Sequence, residues 1–236
     1  MLARTINTRA GIFGGLGPET SSKFCLNVNT KFRDVAKRQP DLVIENLQIP
    51  ANDEKKLITG RPTNVHRILL RNAVIRLNNA EVDFIVIPCN TIHCFLEELR
   101  LISKSPIISI IEECVKECQN KNFRKVGLLA TSKTVKDGLF KKEFKEKGIE
   151  LLVPDSHDQK ILSNIILRIL DNVDTRNNKK EILRLVKQLG ASGAEAVILG
   201  CTDLSLIISN DNCSIPILET CRILEDSLVQ TLLIAY

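Results

Sequence analysis

Two cysteines occupy matching surroundings in this chain. Phe84-Ile-Val-Ile-Pro-Cys89-Asn-Thr91 is answered by Ala196-Val-Ile-Leu-Gly-Cys201-Thr-Asp203. Each has an apolar run, a Pro or Gly, a cysteine, and then short polar side chains. A thiol between a strand and a following helix meets backbone N–H groups that stabilise its thiolate, so its pKa is expected to fall. Helices are expected to start near Ile92 and near Leu204. Asn90, Thr91 and Thr202 add polar groups where an anion can be held. The other six cysteines, Cys25, Cys94, Cys114, Cys118, Cys213 and Cys221, lack this context and read as small buried hydrophobes.

The elements that must position the pair alternate along the chain. Short Val- and Ile-rich runs at 10–13, 42–47, 84–87, 107–110, 125–129, 149–153, 196–199 and 215–218 read as strands. Segments with helical period at 21–38, 65–79, 92–101, 112–121, 136–147, 160–172, 179–189 and 221–234 lie among them. Strand and helix in alternation predict an α/β fold whose mostly parallel sheets are flanked by helices. The near-continuous apolar strands suit sheets buried on both faces.

The order of motifs repeats. Gly11-Ile-Phe-Gly-Gly15 answers Gly127-Leu-Leu-Ala-Thr131, and Ser105-Pro-Ile-Ile-Ser109 answers Ser214-Ile-Pro-Ile-Leu218, with the cysteine segments between. Three echoes in one order predict two copies of one α/β unit. Two similar, pseudo-symmetric domains are expected: 1–104 plus 217–236 with the first cysteine, and 105–216 with the second. Each copy carries its cysteine at the carboxyl end of a strand, where open α/β sheets bind ligands.

Two thiols on opposite walls of a cleft suit inversion of a carbon centre. A thiolate on one face removes a proton and a thiol on the other delivers one; exchanged roles serve the other enantiomer. The carbanion has to be stabilised by hydrogen bonds and by exclusion of water. Other chemistries fit less of the pattern. The glycines of 11–17 lack the full dinucleotide spacing, with Thr20 in the last glycine's place. Cys89, Cys94 and His93 are near enough for a zinc site, but no second Cys/His pair has suitable spacing. A hydrolase, or a related lyase or isomerase acting on a small carboxylate, with one working cysteine leaves the other unexplained, and a non-catalytic amino-acid binder leaves both unexplained.

Composition narrows the class. The 236 residues are 44% hydrophobic and 26% charged, enough for a substantial core. With no Trp and one Tyr, stacking on nucleic-acid bases is disfavoured. The net charge of +5 is scattered, apart from a basic run at 136–147 that reads as a solvated helix face. No segment is apolar enough to span a membrane, and Met1 to Ala10 lacks the apolar core of a signal peptide. A cytoplasmic protein with reduced cysteines is expected.

Pro88-Cys89-Asn90-Thr91-Ile92-His93 closely resembles the first signature of the cofactor-independent aspartate/glutamate racemases, the aspartate racemases above all. Leu199-Gly200-Cys201-Thr202-Asp203 resembles the second, which usually ends in Glu. Gly14-Gly15-Leu16-Gly17-Pro18, Gln48-Ile49-Pro50 and Leu128-Leu129-Ala130-Thr131 are similar to further family loops, so the resemblance runs over about 11–218. It implies an active site between two domains, no cofactor, no metal, a small amino-acid substrate, and a homodimer. Cys89 and Cys201 become the acid/base pair; Asn90, Thr91, Thr131 and Thr202 hold the α-carboxylate and amine.

The departures concern cations. Where aspartate racemases have Asp-Arg after the Ile-Pro pair, this chain has Ala51-Asn52, which puts Asn52 at the place that reads the substrate's side chain. Asp171 stands where a lysine is usual, and Glu219 follows Leu218 in place of an Asp. Fewer charge-assisted bonds are then available to a side-chain carboxylate. Lys55, Lys56, Arg61 or Arg168 would have to compensate, or the substrate has a neutral or basic side chain.

Overall fold

The computed structural model describes residues 8–171, 173 and 176–234. The expected helix end at Asn172 and the start segment Met1 to Asn7 lie outside these residues. The first half runs β1 (Arg9–Gly14), α1 (Pro18–Ala36), β2 (Asp41–Asn46), α2 (Ala51–Ile58), α3 (Asn64–Asn79), β3 (Phe84–Val86), α4 (Leu96–Ile102), β4 (Ile107–Ile108), α5 (Ile110–Asn120). The second runs β5 (Lys125–Leu129), α6 (Ser132–Lys136), α7 (Leu139–Glu146), β6 (Glu150–Leu152), α8 (Ser156–Leu170), α9 (Arg176–Ala191), β7 (Ala196–Leu199), β8 (Ile217–Glu219), α10 (Thr220–Ile234). Every expected strand has its counterpart. The two sheets are wholly parallel, in the orders β2-β1-β3-β4 and β6-β5-β7-β8. Shifting each number by four converts one sheet into the other, which is the repeat read in the sequence.

Alternation along the strands sorts the core into three layers. Ala10 and Ile12 of β1, Phe84 and Val86 of β3, Val126 and Leu128 of β5, and Ala196 and Ile198 of β7 share one central cluster. Their neighbours face outward. Phe13, Ile85 and Ile87 pack under α3 and α4, and Leu129, Val197 and Leu199 under α8 and α9. Successive strand side chains point to opposite faces, so each central strand is buried on both sides. The central layer is filled by Phe24, Val28 and Phe32 of α1, Cys114 and Cys118 of α5, and Leu224 and Leu228 of α10. This layer joins the halves into one body, with α10 packed between α1 and α5.

Three expectations differ from the structure, and one helix is additional. β4 pairs with β3 and β8 with β7, so the boundaries at 104/105 and 216/217 each cut the fourth strand from its own sheet. The helix expected over 136–147 is two helices, because Gly138 between them takes the left-handed conformation at φ 65°. The last strand begins after Pro216, which has no N–H for the ladder. Helix α2 was not anticipated, although Pro50 precedes it, Asp53 and Glu54 lie in its first turn and Lys55 and Lys56 in its last. Those are helix start and stop signals on a segment too short to show a period.

The loop after β1 needs glycine for space as well as for conformation. Gly15 sits at φ 79°, and a Cβ there would lie 2.5 Å from the Leu47 carbonyl oxygen. Gly60, at φ 86°, has nothing within 4 Å of such a Cβ. A left-handed non-glycine residue costs about 1–2 kcal/mol. Gly60→Ala should therefore lower unfolding stability by about 1 kcal/mol and Gly15→Ala by roughly twice that or more. Urea melts of the two variants check this; equal losses would show that the loop yields freely.

Candidate active site

Cys89 and Cys201 line the same cavity. With them are Asn90, Thr91, Thr131, Thr202, Asp203 and Glu54, closed over by Leu57 and Ile58 of α2. The cavity measures about 30 Å³, room for roughly one or two waters. It lies at the carboxyl ends of β1, β3, β5 and β7, the expected edge of both sheets.

Each cysteine leaves its strand into a 3₁₀ turn, Thr91–Phe95 after Cys89 and Thr202–Leu206 after Cys201. The first continues into α4; no α-helix follows the second. This differs from the helix starts expected near Ile92 and Leu204, and it limits the dipole available to each thiol, since 3₁₀ turns are short and their hydrogen bonds poorer. Burial, more than the turns, decides the thiol acidity. Burial pushes Cys89 up to about 12, against the N–H groups of Ile92 and Thr91, which favour its thiolate; the Asp203 and Glu54 carboxylates push the same way as burial. Burial also carries Cys201 well above the usual thiol range, with Asp203 adding to it. The expected depression is thus outweighed by desolvation, and both thiols are protonated at neutral pH.

Hydroxyls and one amide fasten the two halves at the cavity. Thr91 and Thr131 share a hydrogen bond of 3.1 Å, and Thr131 and Thr134 one of 3.0 Å. Asn90 Nδ2 donates to Thr220 Oγ1 at 2.9 Å, and Thr220 Oγ1 donates to the Leu199 carbonyl at 2.9 Å. Asn90 is 1% exposed, yet its Oδ1 has no hydrogen-bond partner. A buried acceptor without a partner is uncommon in a folded protein, and Asn90 is among the residues that line the cavity.

His93 positions the first thiol from behind. Its Nε2 accepts from the Ile110 N–H at 3.3 Å, so its Nδ1 carries the proton and donates to the Cys89 carbonyl at 2.9 Å. Burial lowers it to about 4, which keeps the ring neutral. Among the described residues no group of three or more His, Cys, Asp or Glu gathers to hold a metal ion. The eight cysteines are free thiols.

The structure does not bring Asn52 to the cavity; it is exposed on the first turn of α2. Nor do the four candidate cations line it. Lys55 pairs with Asp171 at 2.5 Å, which ties α2 to the end of α8, and Lys56 pairs with Asp53. Glu219 borders a separate groove with Lys23 and Arg222. Glu54 and Asp203 were not singled out from sequence. Glu54 accepts from the Gly17 N–H at 3.3 Å, and Asp203 from the Thr20 hydroxyl at 2.5 Å. Burial raises both carboxyls, and Asp203 adds to the rise at Glu54. Gly17 permits the approach, since a Cβ there would lie 2.8 Å from Asp203 Oδ1.

Comparison with known proteins fits this arrangement. Residues 13–227 match the Asp/Glu/hydantoin racemase family. The broad-specificity amino-acid racemase RacX of Bacillus subtilis strain 168 is 26% identical over 232 residues, covering 94% of this chain and 97% of its own. An aspartate racemase homologue from Pyrococcus horikoshii OT3 superposes with a TM-score of 0.76 at 27% identity, over 95% of this chain and 99% of its own. The aspartate racemase of Picrophilus torridus shares the fold, with a TM-score of 0.81 at 23% identity over 95% and 94% of the two chains. The chain belongs to the Asp/Glu/hydantoin racemase family and is an isomerase of the amino-acid racemase class.

The raised thiols set a pH signature. With Cys89 near 12, its carbamidomethylation by iodoacetamide in the free protein should keep rising about tenfold per pH unit through pH 10, because only the thiolate reacts. Peptide mass spectrometry follows the site directly. A plateau below pH 9 would mean that the thiol is not raised.

Proposed function

We propose that this chain racemises a free amino acid by proton transfer at Cα between Cys89 and Cys201, without a cofactor. The observation that supports this most is the shared cavity: two thiols from equivalent strand ends of a repeated unit, with hydroxyl and amide groups between them. One thiolate removes the α-proton and becomes a thiol. The opposite thiol gives its proton to the other face and becomes a thiolate. Charge and protons balance, and solvent exchange or the reverse reaction restores the starting pair.

The substrate itself brings positive charge to an acidic wall. Its α-ammonium sits by Asp203 and Asn90 Oδ1, giving that oxygen its donor and offsetting the carboxylate that disfavours a thiolate. Its α-carboxylate takes hydrogen bonds from Thr91, Thr131 and Thr202, where charge builds as the proton leaves. The backbone N–H groups of Thr91, Ile92, Asp203 and Leu204 steady the thiolates. Because the cavity is smaller than an amino acid, α2 has to move aside for substrate and return to exclude water. A cytoplasmic homodimer forms part of the same reading; among the described residues no helix is long and apolar enough to cross a membrane.

Either thiol alone leaves one face without a proton carrier. Cys89→Ala and Cys201→Ala should each lower racemisation by about a thousandfold or more, on the scale of lost acid–base catalysis. Chiral chromatography of product measures this. One variant with near-normal turnover would replace the two-thiol mechanism by single-cysteine chemistry.

A further inference from the structure

The cavity wall is acidic in a way that the reaction does not require. Asp203 and Glu54 both line it, and among the described residues no Lys or Arg does. The α-ammonium of any amino acid needs one anionic partner. Asp203 suits that role: it follows Cys201 by two residues, is 8% exposed, is fixed by Thr20, and acts electrostatically on both thiols. Asn90, whose buried Oδ1 has no partner among the described residues, lines the same cavity.

Glu54 is then left over. It is carried by α2, away from the strand ends, beside Leu57 and Ile58. Among the described residues its one hydrogen bond is from the Gly17 N–H at 3.3 Å, so its carboxylate retains unused acceptor capacity. The nearby cations on the same helix are engaged elsewhere, Lys55 with Asp171 and Lys56 with Asp53. A half-buried carboxylate loses part of its hydration and gains from a cationic partner. A zwitterion with a neutral side chain leaves the wall's net charge unchanged. Aspartate or glutamate adds a third negative group, and a cationic side chain cancels one.

Resting on the racemase reading above, we infer that Glu54 is a specificity residue and that the site takes amino acids with a cationic side chain, such as lysine or ornithine, in preference to acidic ones. The methylenes of such a side chain lie along Leu57 and Ile58, and its ammonium reaches the Glu54 carboxylate. Glu54 touches the side chain and no reacting atom, so its influence falls on discrimination among substrates.

The experiment uses the purified, reduced protein in D₂O, with α-proton loss followed by NMR for lysine, ornithine, norleucine, methionine, aspartate and glutamate. Lysine should exceed norleucine in kcat/KM by at least tenfold, with aspartate lowest. Glu54→Gln, which keeps the shape and removes the charge, should reduce the lysine-to-norleucine ratio at least tenfold, mainly through KM. Glu54→Lys should raise aspartate relative to lysine, which a purely structural glutamate would not do. A wild-type preference for aspartate or norleucine, or an unchanged ratio in Glu54→Gln, overturns the inference and leaves the racemase reading standing. Absence of exchange with every amino acid by the wild-type chain overturns that reading itself, and the inference with it.

Discussion

A short chain of hydrogen bonds, from Asn90 Nδ2 to Thr220 Oγ1 and on to the Leu199 carbonyl, couples the turn that carries Cys89 to the strand that carries Cys201. The Thr91–Thr131 bond adds a second tie between the halves. These groups are buried, so breaking either tie leaves polar atoms without partners in a dry place. The relative position of the two thiols is therefore fixed by the same contacts that close the floor of the cavity. Helix α10 reinforces them, since Thr220 begins it and its apolar face fills the layer between the sheets.

The same dryness governs the chemistry. Burial opposes ionisation of Cys89 and Cys201, and two carboxylates on the wall oppose it further. The free protein therefore holds two neutral thiols with little reactivity. In the proposed mechanism the ammonium of a bound substrate reverses the local electrostatics and makes a thiolate accessible where the α-carbon lies. On this account the protein keeps its reactive groups quiet until the ligand supplies the missing charge, and α2 retains that charge in a medium where it acts strongly.

The strands were legible because each is a compact apolar run, and the duplication was legible because its motifs recur in one order. The cysteines and the Asn and Thr residues around them were found from those motifs. The acidic wall was not. Asp203 lay inside a quoted motif but reads as an ordinary turn residue until Thr20 is seen to hold it from 183 positions away in sequence. Glu54 sits on an eight-residue helix with no visible period, and its significance depends on which neighbours are already paired. Thiol acidity was misread for a related reason. A helix-start pattern is local and visible in sequence, whereas desolvation depends on the closing of the whole cavity. Asn52 illustrates the limit of position-by-position transfer, since α2 points it outward and brings Glu54 to the wall.

The most direct test of two thiols acting on opposite faces is the fate of the α-proton early in a reaction run in D₂O from one enantiomer of the best substrate. Product and remaining substrate are separated on a chiral column and their α-deuterium contents measured by mass spectrometry. Two thiols predict product that carries deuterium from the first turnovers while the recovered substrate stays largely protiated, because the donor on the far face has equilibrated with solvent. Product that retains the original proton would mean that a single group carries it across, and would contradict the account.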